Sequence, residues 1–408
     1  SLTNAYYDNS YNTNQDAIYG VIKKDGELRL NTYIGGSGYD KAMSICVAGD
    51  VVMLTGNTQS SNITTSCISP SNGAFPTCSS AGNFVQNTNA GGQDIFLMKF
   101  ASDNSLTWST LIGSSADDKV CDIEPYPIFR SVGTYFYLSG ETQKNSNTGP
   151  FNGTPLNSTT AKDFPLKEIV GNSFFQSKAG GFIMEFDNLG NMVWGTTING
   201  TKSLHALTFS DNSIYAVGHC NASSAVNSCF ESSSAVSICS QSGEFYKNSG
   251  NLYLGRFNTG GELIYSTRYN AAFDIFQHQY SNPTDRRVDI AHNNNGDVFI
   301  FGLDTYYTLD PSISFEPSTP VWNGCYYQDV SDPGMWGEAI DCFILGFNSN
   351  NQRNLATWFG GSRFFFDNSA YFYPYYSELP GAIACYGNSD LWIAGMSGKE
   401  CSRFPLLD

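Results

Sequence analysis

The chain repeats one pattern of β-rich runs five times, and this repetition restricts the fold more than any other feature. Each copy opens with two β-rich runs joined by a short Gly/Asn/Asp turn, which predicts a β-hairpin. A third and a fourth apolar run follow. The copies begin at Asp16, Asp94, Gly180, Asn251 and Asp341. Four short strands that recur at long intervals predict a repeat architecture made of small sheets.

Several positions of the repeat keep one residue type. Threonine stands in the second run of every copy, at Thr32, Thr110, Thr196, Thr267 and Thr357. Glycine ends every fourth run, at Gly56, Gly140, Gly218, Gly302 and Gly395. Such a glycine predicts either a positive φ or a close backbone approach. Apolar side chains fill the column Ile22, Phe100, Phe186, Phe257 and Phe347 and the column Leu30, Trp108, Trp194, Tyr265 and Leu355. We expect both apolar columns to form core between stacked repeats.

We therefore predict an all-β protein: residues 1–408 form a single five-bladed β-propeller of four-stranded antiparallel blades, one blade for each copy. The repeats start near residues 16, 94, 180, 251 and 341. Residues 1–15 are expected to close the ring as a strand paired with the last blade. Four long loops, at about 57–92, 141–179, 219–249 and 303–338, are where function is expected to lie.

The repeat resembles the SBBP-type β-propeller repeat of secreted and cell-surface proteins. The first copy carries the best match, with Asp16-Ala17-Ile18, Thr32-Tyr33-Ile34-Gly35-Gly36-Ser37-Gly38 and Asp40. The second carries Trp108-Ser109-Thr110 and Asp117-Asp118. Copies three and four lack the Gly-Gly turn and the paired acids. The resemblance covers most of residues 16–408 and implies a propeller outside the cytosol, without implying one activity.

The charge balance excludes some classes of partner. The net charge is −16, with 21 basic and 37 acidic residues. Nucleic acids require a basic surface, and anionic lipids require the same. No apolar stretch approaches the roughly 18 residues of a membrane span. We expect neither a nucleic-acid partner nor a membrane span.

The cysteines and sequons indicate an oxidising compartment. The 11 cysteines form no CxxC pair, which favours structural disulfides over metal or redox sites. Cys67 with Cys78, and Cys229 with Cys239, are candidate pairs within one loop; Cys325 and Cys342 are further candidates. Asn-x-Ser/Thr sequons stand at Asn62, Asn152, Asn157, Asn199 and Asn221. Because the chain begins at Ser1 without Met, we expect a mature extracellular or cell-surface chain, N-glycosylated at these sequons.

Two groups of acids are candidates for chemistry. Asp16, Asp94 and Asp341 start equivalent runs, and two such carboxylates at glycosidase spacing would support acid/base sugar chemistry. The alternative role is turn capping, which we favour. The second group comprises Asp40, Asp117, Asp118 and Asp122, whose oxygens are of the type that Ca²⁺ prefers. We expect no cofactor, with Ca²⁺ as the alternative.

Aromatic side chains in the late loops are candidate partner contacts. They are Tyr306, Tyr307, Trp322, Trp336, Phe365, Tyr373 and Tyr375. The leading hypothesis is a non-enzymatic, structural or adhesive extracellular module that contacts copies of itself or other surface proteins and glycans, as in a filament or matrix. The alternative is a propeller that binds carbohydrate or cleaves glycosides.

Overall fold

A computed structural model describes most of the chain. The described residues are 5–12, 14–68, 73–79, 83–126, 133–145, 163–169, 171, 173–230, 235–271, 288–306, 317–318, 327–328, 339–360, 378–388 and 390–397. Within these ranges the regular elements are all β-strands, which confirms the all-β class.

The described ranges contain 24 strands. They are β1 (Ala17–Ile22), β2 (Leu28–Ile34), β3 (Asp40–Ala48), β4 (Val51–Thr58), β5 (Ile63–Thr64), β6 (Phe75–Pro76), β7 (Asp94–Phe100), β8 (Leu106–Ile112), β9 (Asp118–Pro125), β10 (Tyr135–Thr142), β11 (Gly180–Asp187), β12 (Met192–Ile198), β13 (Thr201–Ser210), β14 (Ser213–Cys220), β15 (Ala225–Asn227), β16 (Val236–Ile238), β17 (Leu252–Asn258), β18 (Leu263–Tyr269), β19 (Val288–His292), β20 (Val298–Tyr306), β21 (Ala339–Phe347), β22 (Arg353–Phe359), β23 (Glu378–Tyr386) and β24 (Asp390–Ser397).

Sixteen of these strands form four antiparallel four-stranded sheets, in the orders β3-β4-β7-β8, β9-β10-β11-β12, β13-β14-β17-β18 and β19-β20-β21-β22. Each sheet combines the third and fourth runs of one copy with the first and second runs of the next. The prediction of one sheet for each copy was therefore wrong in its boundaries. Because a sheet spans two copies, every copy is hydrogen-bonded to its successor.

The strands at the two ends of the repeat array form two-stranded sheets. β1 pairs with β2 and β23 pairs with β24, both antiparallel. By the rule of the complete sheets, β1-β2 corresponds to the second half of a sheet and β23-β24 to the first half. These two pairs are called the terminal half-sheets below.

The chain divides into two compact units, residues 1–199 and 200–408. In the first unit, a buried cluster joins the half-sheet β1-β2 to the sheet β3-β4-β7-β8, and a second cluster joins that sheet to β9-β10-β11-β12. In the second unit, one cluster joins β13-β14-β17-β18 to β19-β20-β21-β22, and another joins the latter to β23-β24. The predicted apolar columns lie mostly in these inter-sheet cores.

The hairpin at the start of each copy has the same turn. One residue of it has a left-handed φ in all five copies: Gly26, Asn104, Gly190, Gly261 and Asn351, with φ between 59° and 89°. The pairing register of each hairpin shifts by one residue next to this turn, with the extra residue on the second strand. Glycine and asparagine tolerate this backbone region best, which explains why the repeat alternates between these two types here.

In every copy, the threonine bonds to a segment of chain that lies beside the second strand of the hairpin. We call these five segments, which contain Asp8, Gln86, Gln176, Lys247 and Gln328, the linking segments. In the second copy, the N–H of Gln86 donates to Thr110 Oγ1 at 2.8 Å, and the N–H of Leu111 donates to the Gln86 carbonyl at 2.9 Å. The same pair of bonds joins Asp8 to Thr32 and Tyr33, Gln176 to Thr196 and Thr197, Lys247 to Thr267 and Arg268, and Gln328 to Thr357 and Trp358. Threonine suits this position because its β-branched side chain favours a strand and its hydroxyl accepts the hydrogen bond.

The N-terminal segment occupies this linking position in the first copy. The N–H of Tyr6 donates to the Asn104 carbonyl at 3.0 Å, and Asp8 bonds to Thr32 and Tyr33. The described part of residues 1–15 therefore lies along β2 and forms no strand of its own. The expectation that this segment is a strand of the last sheet is replaced by this placement.

In the first four copies, the glycine that ends the fourth run is required by close approach. A Cβ on Gly56 would lie 2.1 Å from the Lys41 carbonyl and 2.5 Å from the ring of Phe96. Gly140 and Gly302 face the rings of Phe182 and Phe343 in the same way. Of the two explanations offered by the sequence, close approach is the one the structure shows.

Candidate functional site: two disulfide-bonded loop tips

Two of the long loops share a disulfide at an equivalent place. Cys67 is bonded to Cys78, with Cα atoms 5.2 Å apart, and Cys229 is bonded to Cys239, with Cα atoms 4.5 Å apart. Both loops connect the second and third strands of a complete sheet. Each also contains a short parallel ladder, β5-β6 in the first loop and β15-β16 in the second. The two loops are therefore two versions of one structure.

Each loop is fastened to its sheet through the second cysteine. The N–H of Cys78 donates to Ser109 Oγ at 2.9 Å, and the N–H of Ser109 donates back to the Cys78 carbonyl at 2.8 Å. Cys239 makes the same bonds with Ser266, at 2.8 and 2.6 Å. Both serines directly precede the threonine of their copy. The disulfides are thus attached to buried strands and not only to the loop itself.

The first cysteine of each loop lies in a short turn that presents an apolar side chain. Ser66 Oγ donates to the Ile68 carbonyl and accepts the Ile68 N–H, at 3.1 and 3.2 Å. Ser228 makes the same two bonds with Phe230, at 3.2 and 3.0 Å. Ile68 is 79% exposed and Phe230 is 77% exposed. We call Ile68 and Phe230, with the turns that hold them, the loop tips.

Exposed apolar side chains that occur singly are ordinary on a protein surface. These two differ because the same serine turn and the same disulfide hold them in both loops. A side chain fixed in place before binding loses less entropy when it inserts into a partner. The sequence alone did not lead us to the loop tips, although both carry the tripeptide Ser-Cys-apolar, at residues 66–68 and 228–230.

Two of the five sequons lie on the surface of these same loops. Asn62 and Asn221 are exposed. Asn199 is only 5% exposed, and its backbone N–H donates to Gln176 Oε1 at 2.7 Å. Asn152 and Asn157 lie outside the described residues.

The predicted aromatic contacts fall almost entirely outside the described residues. Tyr307, Trp322, Trp336, Phe365, Tyr373 and Tyr375 are not described. Tyr306 is the last residue of β20, where its backbone pairs with Ala339. Cys325 also lies outside the described residues, whereas Cys342 is buried in β21.

The three repeated acids pack against glycines. A Cβ on Gly113 would lie 2.3 Å from Asp94 Oδ1, and Gly35 and Gly360 face Asp16 and Asp341 at 2.3 and 2.4 Å. Copies three and four start with Gly180 and Asn251, and there the glycine is replaced by Asn199 and Asn270, respectively. Asp94 and Asp341 are buried, and this geometry favours the packing role over acid/base chemistry.

The surroundings of Asp94 strongly raise the pKa of its carboxyl. Burial raises its pKa to about 7, against the opposing effect of the Ala90 N–H, which donates to Oδ2 at 2.8 Å. The nearby charge of Asp118 raises the pKa further, and the Gln86 amide, which donates at 2.9 Å, lowers it. Oδ1 has no hydrogen-bond partner. This carboxyl is therefore partly protonated near pH 7.

The acids considered for Ca²⁺ are held by local bonds. Asp118 Oδ2 accepts the N–H and the hydroxyl of Ser114 at 2.5 and 2.7 Å, and burial raises its pKa to about 6. Asp40 Oδ2 accepts the Gly36 N–H and the Ser60 hydroxyl, both at 2.8 Å. Among the described residues, no group of three or more His, Cys, Asp or Glu side chains is placed to hold a metal ion.

The described part of the chain contains no helix of the length and apolarity needed to cross a membrane. No protein family model matches the sequence, and no curated protein matches it either.

Proposed function

We propose that the chain is a five-bladed β-propeller of the SBBP-like kind, serving outside the cytosol as a structural or adhesive module. The support for five blades is the strand inventory. Four complete sheets have one construction, and the terminal half-sheets supply the two halves of a fifth. Successive sheets pack face to face within each unit, as blades do.

The two disulfides support a compartment outside the cytosol, because thiols are kept reduced inside most cells. The exposed sequons Asn62 and Asn221, on the same two loops, fit a glycosylated surface. The proposal assigns the protein a binding role and no catalytic step.

The observation that carries the binding role is the pair of loop tips. An exposed Ile68 or Phe230 on a restrained backbone is the type of side chain that anchors protein interfaces by filling an apolar pocket. The disulfide, the parallel ladder and the serine turn all restrict the tip before contact. We infer that the tips dock into apolar pockets on copies of this chain or on neighbouring extracellular proteins.

Adhesion of protein-coated beads tests this role. Beads that carry the native chain are expected to aggregate, and the double variant Ile68→Ser with Phe230→Ser is expected to reduce aggregation at least tenfold. The matched control is Leu189→Ser, which removes an equally exposed apolar side chain from a hairpin turn. Equal aggregation by the native chain and the double variant would overturn the proposal, as would beads that never aggregate.

A further inference from the structure

Four carboxyl groups of the first compact unit lie in one row across neighbouring strand ends. In the sheet β3-β4-β7-β8, Asp40 pairs with Thr58, and Thr58 pairs with Asp94 on its other side. The backbone N–H of Asp40 donates to the carbonyl of the residue before Asp16 at 2.7 Å, and that of Asp118 donates to the carbonyl of the residue before Asp94 at 2.8 Å. We call these four aspartates, in the order 16, 40, 94 and 118, the carboxyl row.

Each carboxyl group of the row is bonded through one oxygen only. Oδ2 of Asp16 and Oδ2 of Asp94 accept the N–H of the residue four positions earlier, at 3.0 and 2.8 Å. Oδ2 of Asp40 and Oδ2 of Asp118 accept such an N–H at 2.8 and 2.5 Å, and each also accepts a serine hydroxyl. Oδ1 of all four is buried and has no hydrogen-bond partner. Four orphaned acceptors in one row are therefore a repeated feature of this unit.

An orphaned, buried oxygen favours the neutral form of a carboxyl group. Burial raises the pKa of Asp94 to about 7 and that of Asp118 to about 6. Burial also raises the pKa of Asp16 and of Asp40. The hydrogen bonds to Oδ2 act in the opposite direction and are outweighed.

The charged side chains around the row do not neutralise it. Those nearest to it along the chain or in contact with its strands are Asp8, Lys41, Asp117, Lys119, Glu141 and Lys144. The charge of Asp8 raises the pKa of Asp16, and the charge of Asp117 raises that of Asp94 and of Asp118. Lys41 and Lys119 follow row residues directly, and side chains alternate between the two faces of a strand, so both leave on the opposite face. Lys119 pairs there with Glu141 at 3.3 Å, and Lys144 bonds to Thr142 through its backbone.

We propose that the carboxyl row is a pH-dependent device: protons on its carboxyl groups keep the adjoining turns folded in an acidic surrounding, and their loss at higher pH loosens those turns. The turns are residues 35–39 and 113–117, which join the second run of a copy to the third. The N–H of Gly36 and that of Ser114 tie them to the row. Ionisation places negative charges side by side on oxygens that lack donors, and such charges repel one another strongly where water is excluded. The inference goes beyond the binding role and does not depend on it.

The direction of the pH effect follows from the folded and unfolded pKa values. An unfolded aspartate releases its proton near 3.8, whereas folded Asp118 and Asp94 hold theirs up to about 6 and about 7. The folded state binds more protons between these values, so the contribution of the row to stability falls as pH rises through this window. Below the window the contribution is fully present. His292 acts in the opposite direction, because burial lowers its pKa, but it belongs to the second unit.

Hydrogen exchange of the Gly36 and Ser114 amides at pH 5 and pH 8 tests the proposal. After correction for intrinsic rates, their protection in the native chain is expected to fall about tenfold or more at pH 8, since each pKa unit corresponds to a factor of ten. The double variant Asp40→Asn with Asp118→Asn keeps an oxygen for each amide and cannot ionise, so its protection should be nearly the same at both pH values. Asp103→Asn is the matched control, because it removes an exposed acid whose pKa is lowered by bonds from Ser105. The control should behave as the native chain does.

Carbon NMR of the aspartate carboxyl groups supplies a second measurement, which needs only the native chain. Two signals are expected to titrate near pH 6 and pH 7. The inference is overturned if all aspartates titrate near 3.8, or if the Gly36 and Ser114 amides are equally protected at both pH values. It is also overturned if about 5 mM CaCl₂ restores the protection at pH 8, because the row would then be a cation site.

Discussion

At the scale of single residues, buried carboxyl groups depend on space provided by other residues. Asp94 fits because position 113 is glycine, and its Oδ2 is bonded by Ala90 and Gln86. Oδ1 has no bond, and burial without a full set of bonds disfavours the charged form. Asp94 is therefore a group whose charge opposes folding at neutral and alkaline pH.

We predict that Asp94→Asn stabilises the protein at pH 8 and has little effect at pH 4. Folded Asp94 holds its proton up to a pKa of about 7, whereas the unfolded group releases it near the ordinary value of 3.8. The folded state binds more protons between these values, so this group's contribution to stability falls as pH rises through that window. The asparagine oxygen still accepts the Ala90 bond. The shift is about three pKa units, and each unit corresponds to about 1.4 kcal/mol, so about 4 kcal/mol is the upper bound for the gain at pH 8.

Urea unfolding of both proteins at pH 4 and pH 8 provides this measurement. Asp103→Asn is the control, because Asp103 is exposed and bonds from Ser105 lower its pKa. The control should bring no gain at pH 8. A difference between Asp94→Asn and the native chain that is the same at both pH values would contradict the assignment.

At the scale of secondary-structure elements, one repeated contact joins every linking segment to the second strand of its copy. The threonine hydroxyl accepts a hydrogen bond from an N–H of the linking segment. The N–H of the residue after the threonine donates to the carbonyl of the same linking-segment residue. In all five copies, an aromatic residue stands two positions before the linking-segment residue that bonds to the threonine. These aromatic residues are Tyr6, Phe84, Phe174, Phe245 and Tyr326. The indole of Trp108 donates to the Phe84 carbonyl at 3.2 Å, and that of Trp194 donates to the Phe174 carbonyl at 3.3 Å. The linking segments are thus part of the sheets' structure.

We predict that Thr110→Val lowers the free energy of unfolding by about 1–3 kcal/mol, because it leaves the buried Gln86 N–H without an acceptor. The substitution keeps the β-branched shape, which isolates the loss of the hydroxyl. Chemical denaturation measures the stability, and hydrogen exchange of the Gln86 and Leu111 amides reports the local contact. Thr107→Val, on the exposed side of the same strand, should change stability by less than about 0.5 kcal/mol. Unchanged exchange at Gln86 in the Thr110 variant would show that the hydroxyl does not hold this segment.

At the scale of the whole molecule, two compact units each contain cores between successive sheets. The acidic surface acts on any assembly of copies, since each chain carries a net charge of −16. Like charges oppose association over a distance set by the salt concentration, about 10 Å at 0.1 M. Contacts through the loop tips, Ile68 and Phe230, are apolar and gain nothing from charge.

We therefore predict that self-association strengthens with salt. Sedimentation velocity between about 20 mM and about 500 mM NaCl should show the weight-average mass rising, because repulsion is screened while apolar contacts persist. The variant Ile68→Ser with Phe230→Ser should show a much smaller rise at the same concentrations. Association that weakens as salt is added would mean that opposite charges, and not apolar faces, hold the copies together.

The repeat by itself determined the all-β class, the hairpins and the positions that must be core. These follow from local rules: apolar columns need burial, and left-handed turn residues need glycine or asparagine, as at Gly26 and Asn104. The threonine and glycine columns were visible too, but not their reasons. Thr110 bonds a backbone 24 residues away, and Gly56 faces a ring 40 residues away, so neither contact is written in local sequence.

Only the tertiary structure decided how the copies combine. Strand pairing depends on which edges meet in space, and it joined each copy to the next instead of completing one sheet within a copy. The same pairing left β1-β2 and β23-β24 as halves, and it exposed Ile18, Ile22 and Trp392 while burying their counterparts. In the sequence, Ile18, Ile22 and Trp392 each stand in an apolar column of the repeat. Burial is a property of neighbours in space, which a repeat column by itself does not specify.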